Sequence, residues 1–98
     1  MQGEIRISPS EMEVRVSQYK TQGDAVQEVI NKMDEYLGAL QEEWRGEASA
    51  AYAEKYESLK PNFENMRDLI YDIADALQAV ANRMGEEDST IASQFRNA

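Results

Sequence analysis

Two acidic clusters, Asp68/Asp72/Asp75 and Glu86/Glu87/Asp88, are the side chains of this chain that could hold a divalent cation. A calcium site alternates oxygen ligands around a turn glycine, and neither cluster has such a loop, so both read as solvated acidic faces. His is absent, which removes the commonest general base and the commonest zinc ligand together. A di-iron helical bundle needs Glu-x-x-His pairs and so cannot be built. Cys is absent too, leaving neither a thiol nucleophile nor a disulfide. No nucleophile–base pair and no phosphate-binding loop is present, so the sequence predicts no enzyme, no cofactor and no metal. Function must then lie in what the surfaces bind.

Two constellations could recognise a partner. Trp44-Arg45-Gly46 sits near the midpoint of the 98 residues. Met84, Asp88, Ile91 and Phe95 follow a 4-3-4 spacing that puts all four on one side of a helix, a stripe suited to docking in a receptor groove. Charge narrows the partners. Against 19 Asp+Glu stand 10 Lys+Arg, a net charge of −9, which repels phosphate backbones and predicts no nucleic-acid partner. Anionic lipid is repelled as well, which argues against membrane binding at neutral pH. The start, MQGEIRISPSE, has no apolar core or cleavage site of a signal peptide, and no later run is apolar enough to span a bilayer.

The elements that position these residues can be counted. Ser8-Pro9-Ser10-Glu11 is a helix start, with Ser8 as N-cap, Pro9 at the first helical position and Glu11 closing a capping box. From there Met12, Val16, Tyr19, Gly23, Val26, Ile30, Met33, Leu37, Leu40 and Trp44 alternate steps of four and three. Past the bend, Tyr52, Tyr56, Leu59, Phe63, Met66, Ile70, Ile73, Leu77, Val80 and Met84 do the same. A sustained period of about 3.5 means two long helices packed in coiled-coil manner. The sequence predicts a single all-α domain over 1–98: an antiparallel helical hairpin with helices over 8–43 and 47–84, a turn at 44–46, and a flexible or helical tail over 85–98. Pro61 predicts a kink near 57–61, and Gly85 a helix end.

One hairpin leaves apolar residues over. Val29 and Tyr36 flank the first seam; Leu69, Ala76 and Ala79 flank the second. A stripe wider than a two-stranded seam calls for a third and fourth helix, which a second hairpin supplies as a dimeric four-helix bundle. Leu37, Leu40, Leu59, Phe63, Leu69, Ile70, Ile73, Leu77 and Val80 are the expected core of the hairpin and its dimer.

Helices on both sides of a central Trp-x-Gly, in a chain of this length without a signal peptide, resemble the WXG family of early-secreted-antigen-like proteins. The resemblance covers the Ile7-Ser8-Pro9-Ser10-Glu11 start, Trp44-Arg45-Gly46, Leu59-Lys60-Pro61 and the tail. Met84, Asp88, Ile91 and Phe95 fit the family's C-terminal pattern. The actinobacterial form has Tyr where this chain has Met84, so the likeness is to Firmicutes-type members, which tend to be homodimers. The resemblance implies a protein made in the cytoplasm and exported as a folded dimer by a type VII secretion system, without a cleavable signal peptide. It implies recognition through the Trp44-Arg45-Gly46 bend and the Met84/Asp88/Ile91/Phe95 signal. The implied partners are a second copy or a related WXG protein, and the secretion ATPase; one alternative makes the chain a secretion partner or adaptor of a larger toxin. The alternative, of another class, is a membrane-active virulence effector whose amphipathic helices open onto lipid once its carboxylates are protonated near pH ~4–5.

Overall fold

The structure, a computed structural model, describes residues 7–84 and Arg96. These form two long helices, α1 (Pro9–Glu43) and α2 (Glu47–Asn82). The capping box forms at the start of α1. Ser8 Oγ accepts from the Glu11 amide at 3.1 Å, and Glu11 Oε1 accepts from the Ser8 amide at 2.8 Å. The Ser8 amide is the largest cause holding the Glu11 carboxyl below its ordinary pKa.

Between the helices the Trp44 amide still donates to the Leu40 carbonyl at 2.8 Å. The chain then turns at Gly46, whose φ of 115° is one that L side chains avoid. The Gly46 carbonyl accepts from the Ala50 amide at 3.2 Å, so this glycine also caps α2. α2 continues through Pro61 without a break. It ends at Asn82, two residues before the expected limit. The Arg83 and Met84 amides fold back onto the Val80 and Ala81 carbonyls at 3.1 and 3.4 Å, the tighter spacing that often closes a helix.

The chain divides into two compact units. The turn half is Gly23–Leu69. There Gly23, Ile30, Leu37 and Tyr56 are buried, and Val26, Met33, Leu40 and Phe63 half-buried. The partners of the two helices run in opposite order: Asp34 meets Tyr56 and Lys60, and Gln27 meets Arg67. The helices are therefore antiparallel. The open half draws on 7–22 and 70–84, with Val16, Ala74 and Ala81 buried and Met12, Ile70, Ile73, Leu77 and Val80 half-buried.

The seam of α2 differs from the expected row. Tyr56, Phe63, Ile70 and Leu77 belong to it, at a seven-residue spacing, and Ile73 and Val80 are half-buried as well, but the turn-half positions Leu59 and Met66 leave it. Tyr52, Leu59 (43%) and Met66 are exposed, and Leu69 is 59% exposed. Ala53, Lys60, Arg67, Ala74 and Ala81 take the intermediate places. The reason is physical. The stems of Lys60 and Arg67 cover the seam while their charged heads reach acceptors on α1, and the alanines need little space between the helices. Leu59 and Leu69 are thus not core residues of the single hairpin. Trp44, the last residue of the expected α1 row, is 38% exposed, its ring tilted against Tyr52 with centroids 5.9 Å apart.

Candidate interaction surface

In the turn half the seam has two edges of opposite chemistry. Heptad arithmetic sets them: around α1, Gln27 and Asp34 fall on one side of the Ile30/Leu37 row, and Met33 and Leu40 on the other. Around α2, Lys60 and Arg67 flank Tyr56 and Phe63 on one side, and Tyr52, Leu59 and Met66 on the other.

The polar edge is bonded across the helices. Tyr56 Oη donates to Asp34 Oδ1 at 2.7 Å, and Lys60 Nζ donates to Asp34 Oδ2 at 3.0 Å. Arg67 Nη1 donates to Gln27 Oε1 at 2.6 Å, while its other nitrogens pair with Asp68 at 2.9 Å. Gln27 in turn donates to Asn31 at 2.8 Å. The bond from Tyr56, then that from Lys60, holds the Asp34 carboxyl below its usual range. Desolvation first, and the Asp34 carboxylate second, push the Tyr56 phenol up to about 12. The bond to Asp34 raises Lys60 in the same way. The groups are thus locked in the charge states the pairing needs.

The apolar edge has no such pairing. Met33, Tyr36, Leu37, Leu40, Tyr52 and Tyr56 line a shallow groove of about 120 Å³ between the helices. Along α1 the same surface continues as an open apolar groove over Ala25, Val29, Met33 and Tyr36, rimmed by Glu28 and Lys32. Val29, Tyr36, Leu59, Met66 and Leu69 are exposed, with Tyr36 at 65%. Single exposed apolar side chains need no explanation, but a contiguous edge of them marks an interaction site.

Trp44, Arg45 and Gly46 are all exposed at the bend. Met84 is half-buried just past α2, and Asp88, Ile91 and Phe95 lie outside the described residues. Asp68, Asp72 and Asp75 are exposed on α2, and among the described residues no acidic group has the arrangement of a metal site. No described helix is long and apolar enough to cross a membrane. The polar edge was missed by sequence reasoning. Its signal was available: Asp34, Lys60 and Arg67 occupy heptad places beside the seam, where a charge needs a partner.

The family described as proteins of 100 residues with WXG (WXG100) matches residues 4–89. Protein YukE of Bacillus subtilis is 34% identical over 96 residues, covering 98% of this chain and 99% of its own length. The type VII secretion system extracellular protein A of Staphylococcus aureus is 23% identical over 91 residues, 93% of this chain and 94% of that one. Among solved structures, EsxA of Geobacillus thermodenitrificans matches with a TM-score of 0.73 and 32% identity, over 92% of this chain and 98% of that chain. A glycine-to-alanine mutant of the secreted protein EsxB from Bacillus anthracis has a TM-score of 0.77 at 21% identity, over 88% of this chain and 99% of that one, a likeness of fold.

Proposed function

The chain belongs to the WXG100 family, and on that premise we propose that it is a secreted, non-catalytic interaction protein exported by a type VII secretion system. The Staphylococcus aureus relative is named as an extracellular protein of such a system, and the same fate is carried over to this chain. It leaves the cell as a folded pair, either with a second copy or with a related WXG protein. The secretion ATPase reads the bend at Trp44-Arg45-Gly46 together with the tail stripe of Met84, Asp88, Ile91 and Phe95.

The observation that carries this reading is the apolar edge. Both helices contribute to it, so a two-fold axis beside it would set Met33 and Tyr36 of one hairpin against Leu59 and Met66 of another. One surface would then serve both copies. Each Leu or Met so covered contributes about 1.5–3 kcal/mol, enough for a stable pair when several pack.

The test is secretion from the native host. Culture supernatant should contain the chain, and deleting the secretion ATPase should abolish it. Removing residues 84–98, or Phe95→Ala, should leave the protein folded and retained inside the cell. A tail-less protein secreted at the full level would overturn the assigned signal. The membrane-active reading draws on the same apolar edge, and vesicle leakage that appears only on acidification would favour it.

A further inference from the structure

The polar edge poses a separate question, because a lone hairpin could be closed more cheaply by leucines. Asp34, Lys60 and Arg67 are only partly exposed, yet each keeps contact with water, at 41%, 25% and 24% of the side chain. The Asp34 carboxylate spends one lone pair on Tyr56 and one on Lys60, and solvent serves the others. Lys60 Nζ donates one bond to Asp34 and has further N–H groups to satisfy. The apolar edge of another hairpin laid over this one would strip those waters and offer no donor or acceptor in exchange, and desolvating a charge pair commonly costs more than the pairing returns. The apolar edge has the opposite property.

We infer that the polar edge of the turn half (Gln27, Asp34, Lys60 and Arg67) limits assembly to two hairpins by refusing a third. This rests on the reading that a second copy covers the apolar edge. With two apolar edges each hairpin would have two docking faces, and bundles could grow sideways without closing. With one, growth stops at the pair. A polar residue placed at a packed helix position is known to fix the oligomeric state of coiled coils at a cost in stability, and this edge applies that logic between hairpins.

The experiment replaces the edge. A chain with Gln27→Leu, Asp34→Leu, Lys60→Leu and Arg67→Leu is compared with wild type by light scattering after size exclusion, with helicity followed by circular dichroism. The expected result is retained helicity and at least a two-fold rise in mass over wild type. A folded variant at the wild-type mass overturns the inference. So does an unfolded one, because the edge would then hold the hairpin together and not limit its partners. A second variant, Asp34→Lys with Lys60→Asp, keeps the edge charged and should stay at the wild-type mass; growth here too would trace assembly to a loosened seam and overturn the inference. The wild-type mass itself reports on the pair: a single chain there would sink the dimer, while the rise between wild type and variant still judges the edge.

Discussion

On one side of the turn-half seam, α1 and α2 meet through Asp34, Gln27, Lys60 and Arg67; on the other they present Met33, Leu40, Tyr52 and Leu59. Both sides flank the same buried row of Ile30, Leu37 and Tyr56. The first side bonds across the hairpin within one chain, since donors on α2 find acceptors on α1 and water serves the remainder. The second cannot, because apolar groups have no partner but more apolar surface. The difference shows how one heptad pattern serves two purposes: the bonded side shuts the hairpin, and the bare side is kept for something outside it.

The largest effect is expected at the row the two sides share. Ile30→Ala should cost about 2–5 kcal/mol of hairpin stability, read as a fall in the denaturant midpoint, and should disturb both edges at once. Next comes the bare side. Leu59→Ser should leave the melting of the lone hairpin nearly unchanged, yet weaken pairing by about 1.5–3 kcal/mol for each side chain uncovered, roughly 10–100-fold in Kd by sedimentation equilibrium. An equal loss in the unpaired hairpin would place Leu59 inside the intrachain core.

The bonded side gives smaller effects of the opposite kind. Tyr56→Phe removes one hydroxyl donor and should cost the hairpin about 1 kcal/mol while the Kd of pairing stays put. Acid sharpens the same point. Asp34 has its folded pKa depressed by Tyr56 and Lys60, so its contribution is complete above the unfolded carboxylate pKa of ~4 and is lost as pH falls through the lower folded value. Lys60 and Tyr56 are raised, so theirs are complete below ~10 and are lost at more alkaline pH. Melting temperature should therefore be flat between, and Asp34→Asn should flatten the acid limb. The mildest case touches neither edge. Gly38 lies exposed in the α1 interior with nothing within 4 Å of an added Cβ, and Gly38→Ala should stabilise the hairpin by about 0.5–1 kcal/mol with pairing unaltered.

Most of this architecture was legible in the sequence. The 4-3 alternation gave both helices and the hairpin, and Ser8-Pro9-Ser10-Glu11 located the start of α1. The row on α2 was harder, and the reason lies in Leu59 against Lys60. Ranking by apolarity puts Leu59 and Met66 in the seam, because both stronger hydrophobes sit one place from the residues that occupy it. A long cationic stem can line a seam nearly as well as leucine when its head finds an acceptor, and Asp34 and Gln27 are visible as acceptors only once the helices are paired. A lone sequence marks Leu59 and Leu37 alike as residues to be buried. It does not say by which chain.

Gly46 carries a consequence for the topology as a whole. Only three residues, Trp44, Arg45 and Gly46, separate Glu43 from Glu47, and the chain turns among them through one torsion of 115°. Any residue with a Cβ is drawn back toward negative φ, where α1 could run on into α2 as one unbroken rod. Such a rod would recover its lost contacts only by trading arms with a twin, so a single hydrogen at this position is what makes each molecule its own first partner.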